Sequence, residues 1–263
     1  MAKKARKAKK KKETRTSKKT SLRKKITWGV VFVLLAGALA IYFFGGENGR
    51  PIGQYRRYTD AIDNESSGTH ETFDGMFYKP IIYLYPKSEM KVSVELGRPD
   101  KVTHTYPKYN DGWQVVAQPN GDLTDPKTGR YYYALYWEGE NTRAPAPMEE
   151  GFIVRGEDTI NFLETQLAKL GLNEREAEEF IVYWLPKLES SPYNYIRFQT
   201  RREQDRHMPL IIKPFPKTII RVMMEYANLQ KPIKVTEQVL PETPARDGFT
   251  VVEWGATELP AQQ

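Results

Sequence analysis

The chain has 263 residues, no cysteine and a formal net charge of +7. The lack of cysteine excludes a thiol nucleophile, a zinc ribbon and a disulfide framework. The charge is divided: residues 1–25 hold 14 Lys/Arg against the single acid Glu13, a local +13, and the rest carries −6. Overall basicity is therefore a property of the tail and gives no ground for a nucleic-acid partner.

That tail has almost no apolar residue after Met1. It cannot bury a core, and the composition predicts a disordered cytoplasmic segment attracted to anionic lipid. Residues 26–44, "ITWGVVFVLLAGALAIYFF", are uncharged. As a helix they span about 28 Å, close to the roughly 30 Å hydrocarbon core of a bilayer. Trp28 and Tyr42 fall where interfacial aromatics belong, and Lys24 and Lys25 mark the cytoplasmic flank. The pattern predicts one retained transmembrane helix, N-terminus inside, with all that follows outside. Ala38-Leu39-Ala40 also fits a signal-peptidase site, but cleavage there would leave "IYFF" as an exposed N-terminus.

Residues 45–77 are rich in Gly, Asn, Asp, Glu and Thr and read as an extracytoplasmic spacer, with a short helix near Tyr58 to Ile62. The folded domain is expected over 78–255. "KPIIYLYP" (79–86) raises the choice between a ligand-facing strip of tyrosines and a buried strand stopped by Pro80 and Pro86; the second is the more economical. In "MKVSVELG", Met90, Val92, Val94 and Leu96 alternate with polar residues, and "RYYYALYWE" alternates in the same way. Asp111-Gly112 and Asn120-Gly121 are turn dipeptides. Beyond the proline-rich "TRAPAPMEEG", the period changes. Ile160, Leu163, Leu167 and Leu170 share one helix face; Gly171 suits a C-terminal cap; Asn173 with Glu176 forms an N-cap signature; Ala177, Phe180, Ile181, Trp184 and Leu188 mark a second face that Pro186 ends or kinks. "YNYIRFQ", "MPLIIKP", "KTIIRVMMEY" and "DGFTVVEWG" return to strand patterns, and "ATELPAQQ" (256–263) reads as a loose tail. The expected fold is α+β: a mainly antiparallel sheet or sandwich with an inserted αα-hairpin, preceded by the membrane helix.

Together, "KPIIYLYP", "TYPKYNDGWQVVAQPNG", "YYYALYWEG", "GFIVRGEDTINFLE", "LGLNEREAEEFIVYWLPKL" and "GFTVVEWG" resemble an uncharacterised family of bacterial exported or membrane-anchored proteins. The resemblance covers 78–255. It implies a cell-envelope location and brings no activity, cofactor or catalytic residue.

Chemistry is sparsely signalled. His70, His104 and His207 are far apart in sequence and outside any zinc motif, and there is no G-x-S-x-G, Walker A or G-x-G-x-x-G. No metal and no cofactor are expected. Glu138 beside Trp137, Glu253 beside Trp254, and Asp158 are candidate carboxylates for a glycosidase-like envelope hydrolase. Neighbours on a strand point to opposite faces, so neither Trp desolvates its adjacent Glu, and Glu253 has an alternative partner in Arg221. "TRREQDRHMP" (200–209) reads as a charged loop in which Arg201, Arg202 and Arg206 could grip an anion. Sixteen Tyr, with Trp113, Trp137, Trp184 and Trp254, supply either core or sugar- and protein-binding anchors; Tyr132 and Tyr136 are the candidates singled out. The expected function is a membrane-anchored, non-catalytic domain that binds a protein partner or a cell-wall glycan, with the hydrolase as the alternative.

Overall fold

The computed structural model of the protein describes residues 75–142, 144 and 146–260. The basic tail, the apolar segment 26–44, His70 and nearly all of the spacer lie outside the described residues. Among the described residues, no helix is long and apolar enough to cross a membrane.

Among the described residues, thirteen strands and three α-helices follow one another: β1 Gly75–Tyr85, β2 Met90–Leu96, β3 Val102–Tyr106, β4 Trp113–Ala117, β5 Leu123–Thr124, β6 Tyr131–Tyr132, β7 Leu135–Asn141, β8 Glu150–Arg155, α1 Thr159–Lys169, α2 Glu174–Leu188, β9 Tyr193–Phe198, α3 Arg201–His207, β10 Leu210–Lys213, β11 Thr218–Leu229, β12 Thr236–Glu237 and β13 Thr250–Glu258. They build an eight-stranded sheet, β12-β8-β9-β11-β13-β1-β7-β3, and a five-stranded sheet, β10-β2-β4-β5-β6. Most pairings are antiparallel, as the short alternating strands predict. The central β11–β13 pair is parallel over nine residue pairs. A parallel pair needs a long crossover, and residues 230–249 supply it. Gln238 pins that crossover at one point: its Oε1 accepts from the Phe198 N–H at 2.9 Å and its Nε2 donates to the Phe198 carbonyl at 2.8 Å. Arg246 pins it at another, through Glu176 and the Gly171 carbonyl.

The period of two along β1 divides the core. Ile81 and Tyr83 join a cluster with Leu163, Leu167, Phe180 and Trp184 of the helices. Ile82 and Leu84 join a second cluster with Val92, Val94, Val115 and Leu123 of the smaller sheet. All four are under 5% exposed. The stretch "IIYLY" is thus a strand buried on both faces, and the large sheet is the middle of three layers.

Local signals fix the helix ends. The Asn173 side chain accepts from the Glu176 N–H and the Glu176 carboxylate accepts from the Asn173 N–H, each at 2.9 Å. Gly171 sits at φ +93°, Gly171 N–H donates to the Ala168 carbonyl, and Leu172 N–H reaches the Leu167 carbonyl, the paired bonds of a left-handed helix stop.

Four expectations are corrected. Pro80 does not stop β1. The strand runs through it on a bulge, where the register shifts between Tyr78 and Ile81 and Lys79 adopts φ +54°. A Cβ on Gly255 would meet Pro80 Cα at 3.0 Å, so the neighbouring strand carries glycine there. Of the two outcomes expected at Pro186, an end is overturned: helix α2 continues through it to Leu188. Residues 201–207 form a helix rather than a loop, because Thr200 and Glu203 cap its start reciprocally. The tail beyond Gly255 is not loose at first: β13 runs to Glu258, and buried Leu259 donates its N–H to the Tyr226 carbonyl at 2.7 Å.

Candidate functional site

The sheet separates the two candidate glutamates. Trp137 and Glu253 point toward the smaller sheet, whereas Glu138, one residue on from Trp137, emerges on the helix side beside Tyr136. Glu253 is fully buried. Its Oε1 accepts from Trp137 Nε1 at 3.0 Å and its Oε2 from Arg221 Nε at 2.5 Å. Arg221 then donates Nη1 to Asp205 Oδ1 and Nη2 to the Met208 carbonyl, both at 2.9 Å. Every strong acceptor is taken, so this carboxylate holds the domain together. Asp158 is exposed at the start of α1.

The expected binders divide as well. Tyr132 packs against the core between the sheets, Tyr136 against the helix-side core. Arg201, Arg202 and Arg206 all lie on α3, and Arg201 donates to Asp205 at 2.7 Å within the Arg221 network. His207 lies 3.0 Å from Asn141 Oδ1, and exposed His104 lies 4.0 Å from Glu138. Among the described residues, no cluster of His, Asp or Glu could hold a metal ion.

What the fold does assemble is a tyrosine shelf. Helices α1 and α2 bury the central strands, but β7 and β3 carry the sheet beyond α2. Tyr136 and Glu138 of β7 are half-buried, and directly opposite them on β3 stand Tyr106 and His104, both exposed. The wall is one i±4 ridge of α2: Arg175, Glu179, Tyr183 and Lys187. Arg175 lies over the Tyr133 ring at 5.8 Å and donates to Glu179 at 3.3 Å. Tyr83 donates its hydroxyl to the other Glu179 oxygen at 2.7 Å. The Lys79 and Lys187 ammonium groups sit 4.6 and 5.4 Å from the Tyr183 ring centre. The bulge at Lys79 frees its N–H, and Glu138 accepts it at 3.1 Å. Thus the strained turn, the carboxylate and the lysine form one unit at the base of the shelf.

Burial, with nearby carboxylates, makes these phenols harder to ionise than an ordinary tyrosine. Burial pushes Tyr83 up, and Glu179 beside its hydroxyl pushes it further. Burial likewise raises Tyr136, with Glu138 adding to it, and raises Tyr183. Each therefore presents a hydroxyl rather than a phenolate at neutral pH.

The outer end of the shelf is a tyrosine corner. Tyr106 of β3 and Tyr132 of β6 meet edge to face with ring centres 5.6 Å apart, and the Arg130 guanidinium lies 5.9 and 5.8 Å from those two rings. Tyr131, Tyr106 and Tyr133 are 77%, 51% and 49% exposed. The run "RYYYALY" crosses from one sheet to the other here, so its consecutive tyrosines face different surroundings.

Sequence reading missed the ridge and Arg130. The four-residue spacing of Arg175, Glu179, Tyr183 and Lys187, flanking the apolar ridge of Phe180, Trp184 and Leu188, was the available signal for the ridge. Comparison with known proteins found no matching family model, no matching curated protein and no matching solved structure.

Proposed function

We propose that the chain is a bacterial envelope protein, held in the plasma membrane by residues 26–44 with its N-terminus cytoplasmic, whose outer domain binds cell-wall glycan on the tyrosine shelf without cleaving it. The observation that carries this reading is the row of partly open tyrosines, Tyr106, Tyr133, Tyr136 and Tyr183, along a one-sided wall with polar groups at hand. Rigid aromatic faces offer large contact area at small entropic cost, and their hydroxyls supply directional bonds. A linear polymer of ring-shaped units suits an open shelf. The carboxylate pair expected for cleavage, Glu138 with Glu253, is split by the sheet, because Glu253 is committed to Arg221 and Trp137 on the other face. The resemblance of 78–255 to exported bacterial proteins and the split charge of the chain support the location.

For topology, protease added to intact spheroplasts is expected to remove the domain and spare the basic tail. Clipping of the tail alone would reverse the assigned orientation.

For binding, the full chain in detergent is expected to co-sediment with purified cell-wall sacculi. The double variant Tyr133→Ala/Tyr136→Ala should weaken this by about tenfold or more, as loss of clustered aromatic anchors does. A cooperative melt like that of the unaltered chain shows that the variant is folded. Undiminished co-sedimentation would remove the shelf from consideration. Retention by a purified envelope protein, with no affinity for sacculi, would replace the glycan with a protein partner.

A further inference from the structure

Among the described residues, three arginines lie over tyrosine rings, and they differ in one respect. Arg175, over Tyr133, also donates to Glu179, and Arg246, over Tyr85, also donates to Glu176. Their charges are balanced within the protein. Arg130, over Tyr106 and Tyr132, has no carboxylate partner among the described residues.

Arg130 is also held in place. It ends the turn "DPKTGR", in which the Asp125 side chain accepts from the Lys127 N–H at 2.7 Å and the Asp125 carbonyl accepts from the Gly129 N–H at 2.8 Å. The Asp125 N–H donates to the Arg130 carbonyl at 2.9 Å, and the Arg130 N–H reaches Thr128 Oγ1 at 3.3 Å. The N–H groups of Lys127, first, and of Thr128 donate to the Asp125 carboxylate and hold it below the usual carboxylate range, so it is occupied by the turn rather than by the guanidinium. The residue itself is exposed.

We propose that Arg130 selects, among glycans that fit the shelf, those bearing a carboxylate on the sugar. The inference rests on the glycan reading above and names the ligand class for that same site. A guanidinium held beside two rings, with no carboxylate among the described residues to engage it, leaves its N–H groups for a ligand, and that planar fork matches the two oxygens of a carboxylate. Exposed Tyr106, whose ring lies beside Arg130, provides a ring face on which the sugar unit can lie. Charge and platform thus sit together, where the register of β3 against β7 places Tyr106 opposite Tyr136 and so joins the corner to the shelf.

The test uses the full chain in detergent micelles, titrated at low salt with three probes: a galacturonate trimer, an N-acetylglucosamine trimer and inorganic tripolyphosphate. The galacturonate trimer is expected to bind about tenfold more tightly than the neutral trimer, the scale of one charge-assisted bidentate contact. The Arg130→Gln variant should bind the two trimers with equal affinity. The Arg130→Lys variant should recover only part of the preference, because a point charge lacks the fork. A preference that survives in Arg130→Gln, or is absent from the unaltered chain while the neutral trimer still binds, overturns the role of Arg130 and leaves the shelf as a glycan site. Tripolyphosphate binding as tight as galacturonate, and lost in Arg130→Gln, overturns the carboxylate assignment in favour of a general anion site. Failure of every trimer to bind the unaltered chain removes the glycan reading and the inference together.

Discussion

Replacing Arg221 with Met is expected to destabilise the domain by about 3–5 kcal/mol. Arg221 is the hub of a buried network: its side chain is 1% exposed and it donates to Glu253, Asp205 and the Met208 carbonyl. Methionine fills much of the volume but leaves Glu253, itself fully buried, with only the Trp137 indole as partner. An uncompensated carboxylate in that position either stays charged at high cost or takes up a proton. The same change removes a tie between α3 and β11, since Asp205 lies on α3. Urea unfolding of the full chain in detergent, followed by tryptophan fluorescence, measures the loss. A control separates charge from packing: in the triple variant Arg221→Met/Glu253→Leu/Asp205→Leu no buried charge is orphaned, and most of the stability should return. A loss below about 1 kcal/mol for Arg221→Met alone would mean that the network is not closed as described.

The second large effect is expected at Trp184. Trp184→Ala should cost about 3–5 kcal/mol, the range for removing a large buried ring. Trp184 is fully buried on α2, its ring centre 5.6 Å from Tyr226 of β11, 4.8 Å from Tyr183 and 6.1 Å from Phe180, which in turn meets Trp254 at 5.4 Å. Removing it opens a void where the helix layer meets the large sheet, and neighbouring rings are too rigid to collapse into it. Its indole Nε1 has no hydrogen-bond partner among the described residues. Trp184→Phe therefore relinquishes volume but also removes an unsatisfied donor, and its cost should stay under about 1.5 kcal/mol. Equal losses for Phe and Ala would argue that packing volume does not govern this site. Because Tyr183 is the next residue and forms part of the shelf, Trp184→Ala should also weaken glycan binding, whereas Trp184→Phe should spare it.

Much of the architecture was legible before any coordinates. The capping pair Asn173/Glu176, the stop at Gly171 and the alternation of Val92, Val94 and Leu96 are signals contained within a few residues, because helix ends and half-buried strands are set by local hydrogen bonding and side-chain period. The same logic, applied to Thr200 and Glu203, would have found α3; the density of charge there obscured it. The one-residue offset of Trp137 and Glu138 already told that their side chains diverge.

The chain's own order of residues determined most of the strands and the two long helices, that "IIYLY" is a buried strand, and that the tail and the domain carry opposite charge. It did not determine which segments meet. The parallel pairing of β11 with β13, the bulge that lets Pro80 sit inside β1, the closure of Glu253 on Arg221 and Trp137, and the meeting of Arg130 with Tyr106 all join residues separated along the chain. Such pairings are chosen by what the assembled layers can bury together, and their free energy belongs to the whole core rather than to any window of sequence. For that reason the tyrosines of "RYYYALY" looked equivalent in sequence, and only the tertiary structure divided them between the inter-sheet core, the shelf and the open corner beside Arg130.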